Sequence, residues 1–426
     1  MKNHCAEPTG PTRRRCDGIN KGVSVTADAH TESKPFNDVL TEHRIADLHS
    51  RFRMESSFER ILDERLRRRG GGRDHQTGLT PTEARARLTR FLGNCLGEKF
   101  SVSDVEQLAG GGANECYSFT LIRGGKHERL VLRVKSRGAC CETDIEREFY
   151  MLGAVSEVLP APTPHWMTLD VENFGAPALI STLVDGVSAP SDAVPLATGL
   201  GTVYGPRLRD LLAPQFIDHL ARLHSYDWSD ANLTGFDIPR VRTTDAIDWR
   251  LAFWDRAWEE DAFEPHPTIL LTQRWLWTNR PTVDHISLLH GDYRNGNFLF
   301  DENTGHLNAV IDWELSYLGD RHSDLAYAML PAWGYTDEDG IFRNAGLVET
   351  EKFITEYERL SGLPVDRKRL RYYMVYNLYW SVVSLVGTAP RNADLHMTQL
   401  DVMYNFIYPG LGSSFCNALN RLVGED

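Results

Sequence analysis

The most informative stretch of the chain reads Leu289-His290-Gly291-Asp292-Tyr293-Arg294-Asn295-Gly296-Asn297. An Asp followed, after four residues, by an Asn is typical of a phosphoryl-transfer loop of the form His-x-Asp-x-x-x-x-Asn. In such loops the Asp orients and deprotonates the attacking hydroxyl, and the Asn binds magnesium. We therefore predict Asp292 as the catalytic base and Asn297 as a metal ligand, with Arg294 as a candidate to neutralise charge on the moving phosphoryl group.

A second carboxylate follows at the end of a predicted hairpin. Residues 298–300 are apolar, residues 303–305 read Asn-Thr-Gly, and residues 307–311 form a returning apolar run that leads into Asp312. That pattern predicts two strands joined by a turn. Because Mg²⁺ prefers hard oxygen ligands and keeps several waters, Asp312 is predicted as its second protein ligand. Glu314 would either brace this metal site or face the acceptor.

Three consecutive glycines, Gly110, Gly111 and Gly112, lie between two predicted strands. Glycines permit close approach of the backbone to phosphates, although a run of glycines is more often a flexible turn. The run lacks the Gly-Lys-Ser/Thr ending of a P-loop, which argues against a Walker-type nucleotide site. We therefore treat these glycines as a candidate phosphate-binding loop of another kind.

Residues 130–135 predict a strand on which Arg133 and Lys135 share one face, because side chains alternate along a strand. One of the two cations is expected to hold the nucleotide phosphates. Kinases pair that cation with a carboxylate on a helix. Residues 144–152 have helical apolar spacing and offer Glu148 as the partner.

Glu146 on the same predicted helix is the alternative partner. Its residue type and position allow the same pairing, and the pattern of the helix does not exclude it.

Taken together, these motifs resemble the aminoglycoside phosphotransferase and choline kinase-like family. More narrowly, the chain resembles bacterial phosphotransferase proteins that are related to the kinase-like domain of some acyl-CoA dehydrogenases. The stretches that carry the resemblance are 110–119, 131–133, 147–149, 178–186, 220–224, 290–297 and 312–326.

The resemblance implies an α+β, protein-kinase-like fold with a β-rich N-lobe and a mostly helical C-lobe. It also implies Mg²⁺, and ATP or GTP bound at a hinge near residues 181–184, with Thr182 and Val184 as binding residues. It places the phosphate-binding cation at Arg133, where much of the wider family has Lys, and this difference keeps Lys135 as the alternative.

Three regions result from these assignments: an N-terminal extension (1–75), an N-lobe with its hinge (76–184) and a C-lobe (185–426). Residues 1–35 have few large apolar groups and are expected to be disordered. Residues 38–69 have apolar groups at helical spacing, and they predict either a docking helix that could form a homodimer or a helix that caps the N-lobe. We prefer the cap.

Protein kinase activity is the first rival interpretation. A protein kinase needs an activation segment that ends in Ala-Pro-Glu to hold a peptide. Here Asp312 is soon followed by Asp324-Leu325-Ala326, and no Ala-Pro-Glu occurs. We therefore expect a small-molecule hydroxyl as acceptor, covered by a helical insert at about residues 190–285.

Composition excludes several classes of protein. A net charge of −13 disfavours nucleic acid as a partner. No run of 18 or more apolar residues occurs, so no membrane span is expected. The seven cysteines are scattered and contain no Cys-x-x-Cys, which indicates a reducing cytoplasm and no structural zinc.

The sequence therefore predicts an ATP- or GTP-dependent, Mg²⁺-dependent O-phosphotransferase that acts on a hydroxyl of an antibiotic or a metabolite. Hydroxyacyl-CoA is an alternative class of acceptor. The non-enzymatic alternative is a nucleotide-binding pseudokinase, which would be favoured by loss of the catalytic Asp or of the metal ligands, and none of these is missing.

Overall fold

The structure is a computed structural model that describes residues 5–6, 15–16, 36–70, 78–108, 114–136, 138–193, 200, 202–397 and 402–424. The glycines at 110–112 lie outside the described residues. So does most of the stretch 1–35, which was expected to be disordered; within it the structure describes one antiparallel pair, β1 (Cys5–Ala6) and β2 (Arg15–Cys16).

The sheet part of the protein is built on one five-stranded antiparallel sheet with the strand order β3-β4-β5-β7-β6. Its elements, after the N-terminal helices α1 (Phe36–Arg51) and α2 (Ser56–Gly70), are α3 (Pro81–Cys95), β3 (Phe100–Gln107), β4 (Asn114–Arg123), β5 (Lys126–Lys135), α4 (Ile145–Val155), β6 (Pro164–Thr168), α5 (Val171–Phe174) and β7 (Ala178–Thr182).

Helix α3 covers one face of this sheet. It starts at a capping box in which the Thr80 side chain accepts from the backbone of Glu83, and Glu83 bonds back to Thr80. Leu88 and Phe91 of α3 belong to the same buried core as Leu132 on β5. Because side chains alternate along β5, Arg133 faces away from this core.

The helical part follows and contains the predicted catalytic hairpin. Its elements are α6 (Pro206–Ser225), α7 (Asp245–Asp261), α8 (Pro267–Thr278), β8 (Ser287–Leu289), β9 (Phe298–Phe300), β10 (Leu307–Val310), a 3-10 turn (Trp313–Leu315), β11 (Tyr317–Gly319), α9 (His322–Ala328), a 3-10 turn (Pro331–Trp333), β12 (Tyr335–Thr336), β13 (Phe342–Arg343), α10 (Thr350–Ser361), α11 (Arg367–Val382), a π-helical turn (Val383–Thr388), α12 (Ala389–Asp394), a second π-helical turn (Met403–Ile407) and α13 (Tyr408–Gly424).

The predicted fold class and hairpin are confirmed. The fold is α+β, with the antiparallel sheet followed by the helical part. Strands β9 and β10 pair antiparallel, with Val310 opposite Phe298, so Asp312 lies just beyond the returning strand. No helix within the described residues combines the length and the apolar character needed to cross a bilayer.

The N-terminal extension differs from the prediction. Its helical region is two helices, α1 and α2, interrupted at residues 52–55. Apolar side chains of both helices, such as Leu48 and Phe58, are buried. Phe58 packs against Phe253 of α7, and Arg60 of α2 contacts Asp144 beside α4.

The contacts with Asp144 fit the predicted cap on the N-lobe, and those with α7 extend beyond it, so α2 lies against both parts of the protein. The alternative, a docking helix, required a free apolar face. On α2 that face is buried within the same chain, in the core that it shares with the helical part.

The helical insert contacts the catalytic loop. Helix α6 lies on the buried side of the catalytic loop, where the Tyr293 hydroxyl donates to the Phe216 carbonyl at 2.7 Å. Helices α7 and α8 pack with each other, and α8 also packs against α11 and α13. Through α6, this insert supports the catalytic loop from its buried side.

Candidate active site

Asp324 fixes the start of the catalytic loop. Its two carboxylate oxygens accept the backbone N–H groups of His290 at 2.7 Å and Gly291 at 2.9 Å. Gly291 has a φ of +81°, and a Cβ there would lie 2.3 Å from the Leu315 carbonyl oxygen. Only glycine fits this close approach. Asp324, which the sequence reasoning did not single out, is thus a structural anchor of the loop.

The His290 ring continues this support. The backbone N–H of Asp292 donates to its Nδ1 at 3.2 Å, which leaves Nε2 to donate to the Ile311 carbonyl at 2.9 Å. Trp313 packs on the same ring, with centroids 4.6 Å apart. His290 therefore joins the loop to the end of the hairpin, just before Asp312.

The Asp292 carboxylate is held from both sides. Its Oδ1 accepts from Nε of Arg294 at 2.8 Å, and its Oδ2 accepts from Nδ2 of Asn297 at 2.6 Å. The Arg294 guanidinium lies over the Trp333 ring, 4.3 Å from its centroid. Two donors thus fix the orientation of the Asp292 carboxylate, as positioning of a general base requires.

Asn297 and Asp312 offer oxygen ligands. Asn297 turns its NH₂ group to the Asp292 carboxylate, so its amide oxygen is the atom left for a cation. Asp312 has a left-handed backbone (φ +70°) and a side chain that is 39% exposed. Among the described residues, no three His, Cys, Asp or Glu side chains are arranged to hold a metal. One carboxylate and one amide oxygen still suit Mg²⁺, which takes waters and phosphate oxygens as its other ligands.

Arg133 connects the sheet to this site. Its Nη1 donates to Glu148 at 2.5 Å, and its Nη2 contacts Glu314 at 3.0 Å and Asp312 at 3.3 Å. Glu148, and not Glu146, is the carboxylate that meets Arg133. The predicted pair of cation and helix carboxylate is therefore present, beside the candidate metal ligand.

Burial raises the pKa of two carboxyl groups that contact Arg133. Desolvation raises the pKa of Glu148, although the Arg133 charge opposes this shift. The pKa of Glu314 lies well above its usual range because of burial and the nearby Asp312 charge. Glu314 also accepts from Nδ2 of Asn114 at 2.5 Å. Glu314 thus joins Arg133 to Asn114.

Lys135, the alternative cation, is occupied elsewhere. Its Nζ donates to the Thr143 carbonyl at 2.5 Å and lies 3.9 Å from the Glu142 carboxylate. Lys135 thus holds the segment before α4, although it shares a strand face with Arg133.

The predicted hinge lies at the end of β7. The Thr182 hydroxyl bonds to Nε2 of His165 at 3.0 Å, and the backbone N–H of Thr182 donates to Thr163 at 2.9 Å. Burial lowers the pKa of His165. Val184 follows and is half-buried.

Asn114 and Asp324 are two residues that sequence reasoning missed. Asn114 lies just beyond the glycine run, yet its partner Glu314 is 200 residues away in the sequence. In the sequence, Asp324 is notable only for its short spacing from Asp312. No local pattern identifies the partners of either residue.

A two-part fold with an antiparallel sheet, an Arg–Glu pair and an Asp-containing loop defines a kinase-like phosphotransferase class. The chain belongs to the phosphotransferase enzyme family, whose sequence profile matches residues 104–363.

Curated proteins are similar to this chain at 26% and 27% sequence identity. Mouse acyl-CoA dehydrogenase family member 10 is 26% identical over 319 residues, which cover 72% of this chain and 28% of that protein. Chicken acyl-CoA dehydrogenase family member 11 is 27% identical over 308 residues, which cover 68% of this chain and 38% of that protein. The chain thus spans only about a third of the length of these relatives.

Solved structures share the fold. A Ralstonia eutropha JMP134 protein, named as a candidate aminoglycoside phosphotransferase, aligns with a TM-score of 0.61 and 21% identity over 80% of this chain and 98% of its own. Macrolide 2'-phosphotransferase type I aligns with a TM-score of 0.50 and 21% identity, again over 80% and 98%.

Proposed function

We propose that this protein transfers the γ-phosphoryl group of ATP or GTP to a hydroxyl of a small molecule, with Mg²⁺. The observation that carries the proposal is the triple contact of Arg133 with Glu148, Glu314 and Asp312. It brings a candidate phosphate cation within 3.3 Å of a candidate metal carboxylate. Phosphoryl transfer depends on this combination of positioning and charge stabilisation.

Each residue of the site has a separate role in this proposal. Asp292 accepts the proton of the acceptor hydroxyl, and Arg294 stabilises charge on the group in transfer. Asn297 and Asp312 would hold Mg²⁺, which supplies charge neutralisation at the phosphates when bound. Arg133 binds the nucleotide phosphates together with the backbone of the glycine run at 110–112.

The segment after Asp312 supports a small acceptor. The chain passes at once into a 3-10 turn, β11 and α9, and residues of this segment, such as Ser316 and Asp324, are buried. No peptide platform lies in this described segment. Hydroxyl groups of antibiotics and of metabolites are therefore the acceptor classes to test.

Hydroxyacyl-CoA is a second candidate acceptor class. The two curated relatives described above are named acyl-CoA dehydrogenase family members. Because this chain is similar to them, hydroxyacyl-CoA compounds should be included in any screen of acceptors. The pseudokinase alternative is disfavoured because Asp292, Asn297 and Asp312 are all present and gathered around one loop and hairpin.

The test is a transfer screen with the purified full-length chain. Mg-ATP or Mg-GTP is incubated with pools of hydroxyacyl-CoA, aminoglycoside, macrolide and amino-alcohol compounds, and phosphorylated products are detected by mass spectrometry. A phosphorylated product that no longer forms when Mg²⁺ is chelated supports the proposal. Binding of nucleotide without product from any pool would favour the pseudokinase alternative.

A further inference from the structure

We propose that helix α2, with Glu55 just before it, forms an internal support for α4, and that Arg147 is a positioning residue for the Arg133–Glu148 pair. The catalytic part of this inference rests on the proposed function. The support itself is a property of the described contacts.

Arg147, the neighbour of Glu148 on α4, is only 3% exposed. Its Nη1 donates to the Glu55 carboxylate and, at 2.8 Å, to the Ser57 hydroxyl, so it contacts both sides of the start of α2. Its guanidinium also lies 4.3 Å from the centre of the Phe58 ring. A buried guanidinium satisfied by several acceptors holds its partners in fixed positions.

The same guanidinium reaches the helical part. Its Nη1 donates to the Gly235 carbonyl at 2.8 Å, and its Nη2 donates to the Ser316 carbonyl at 3.3 Å. Ser316 caps the 3-10 turn that begins just after Asp312. Arg147 thus joins α2, α4 and the turn of the candidate metal ligand.

Two further pairs hold the N-terminal end of α4 to α2. Arg60 contacts Asp144 at 2.6 Å, and Asp144 is the N-cap of α4, where it accepts the Glu146 N–H at 2.8 Å. Arg68 lies 3.6 Å from Glu142 in the segment before α4.

On its other side, α2 is fixed to α7. Arg65 contacts Glu260 at 2.7 Å and Asp261 at 3.1 Å, and all three side chains are buried. Arg256 of α7 contacts Asp63 of α2 at 2.7 Å. Loss of one partner from such a buried pair is strongly unfavourable, because an uncompensated charge remains. These contacts hold α2 against α7, so α2 can set the position of α4.

The consequence concerns Glu148. Because α4 carries both Arg147 and Glu148, a shift of α4 away from α2 would withdraw Glu148 from Arg133. Residues 55–70 would therefore belong to the catalytic unit through α4, without supplying a proposed phosphate or metal ligand.

Three full-length variants test the support. Arg147→Lys keeps the charge but loses the planar guanidinium, and Arg60→Ala removes the contact to Asp144 together with the exposed Arg60–Glu64 pair. Arg51→Ala is the matched control, since it breaks the exposed Arg51–Glu259 pair between α1 and α7 and leaves α4 untouched. Hydrogen–deuterium exchange of residues 145–155 and Mg-ATP affinity are measured for each.

We expect faster exchange in α4 and at least about tenfold weaker Mg-ATP binding for Arg147→Lys, as for the loss of charged hydrogen bonds in a buried site. Arg60→Ala should give a smaller increase in exchange and a smaller loss of Mg-ATP affinity. Arg51→Ala should change neither quantity. Exchange in α4 that stays at the wild-type rate in both α4-side variants would overturn the support.

A double-mutant cycle separates positioning from general loss of structure. If Arg147 acts through Glu148, its effect on Mg-ATP affinity should largely vanish in a Glu148→Gln background. Full additivity would overturn the positioning role. A wild-type chain that binds no Mg-nucleotide would instead contradict the proposed function, and the exchange comparison would still decide on the support.

Discussion

Arg133 contacts three carboxylates at once, and its residue type explains how. A guanidinium presents several N–H donors in a planar fork, whereas an ammonium is a point charge. The Nη1 atom of Arg133 donates to Glu148, and Nη2 lies between Glu314 and Asp312. An Arg at this position can therefore keep its helix partner while it faces the candidate metal ligand.

This geometry predicts unequal effects of removing the two cations of β5. Arg133→Ala should raise the KM for nucleotide more than Lys135→Ala does, because Lys135 bonds to the Thr143 carbonyl and not to the active-site carboxylates. Steady-state kinetics at saturating acceptor measure both. A larger rise in KM for Lys135→Ala would reverse the assignment.

Asp312→Asn should behave as a metal-site variant. The substitution removes the anionic charge of the proposed ligand pair, so Mg-nucleotide binding and turnover should fall together. Calorimetry with Mg-ATP, and with ATP in EDTA as the control, tests this. Equal Mg-ATP affinity in variant and wild type would contradict the metal role.

His219 of α6 gives a pH-dependent contribution to stability. Desolvation by burial lowers the pKa of this histidine to about 4 from its usual 6.5, and its Nδ1 has no hydrogen-bond partner in the structure. A lowered folded-state pKa contributes stability that is present above pH 6.5 and is lost as the pH falls towards 4. Between pH 7 and pH 5, this loss is about 2 kcal/mol of the free energy of unfolding.

Urea unfolding at pH 7 and pH 5 checks this prediction. His219→Gln, which cannot titrate, should lose about 2 kcal/mol less than wild type over that range. An equal pH dependence in both proteins would contradict the shift.

Among the elements, the end of β8 and the start of α9 depend on each other through Asp324. This side chain also lies 3.3 Å from Nε2 of the buried His224. Asp324→Ala would leave the backbone N–H groups of His290 and Gly291 buried without acceptors, and each such group costs about 1–3 kcal/mol.

We therefore expect Asp324→Ala to lower the free energy of unfolding by several kcal/mol and to reduce turnover. Asp301→Ala is the matched control, since Asp301 accepts an N–H group in the exposed turn between β9 and β10. Chemical denaturation measures both. Equal losses of stability would mean that the anchor role of Asp324 is wrong.

Elements with local patterns were predictable, and their partners were not. The hairpin β9–β10 could be predicted from two apolar runs and a turn that are adjacent in sequence. The apolar spacing of α1 and α2 shows that one face is buried, but it does not show what buries it. The contact between Asn114 and Glu314 joins residues far apart in sequence, so only the fold reveals it.

Across the whole molecule, charged side chains join the sheet part to the helical part around the candidate site. Arg133 extends from the sheet to the hairpin, and Arg147 extends from α4 to α2 and to the turn after Asp312. The motif residues could be read from the sequence because phosphoryl transfer fixes their types and spacing. The acceptor could not be read in this way, because no local pattern in the sequence identifies it.

Asp292 is proposed to act on the acceptor within a site that binds nucleotide independently. The direct measurement compares Asp292→Ala with wild type in two assays, Mg-ATP affinity by calorimetry and phosphoryl transfer to an acceptor found in the screen. We predict a loss of roughly 10² to 10⁴ in turnover with Mg-ATP affinity close to wild type. Full transfer activity in the variant would contradict the role of Asp292 as the base.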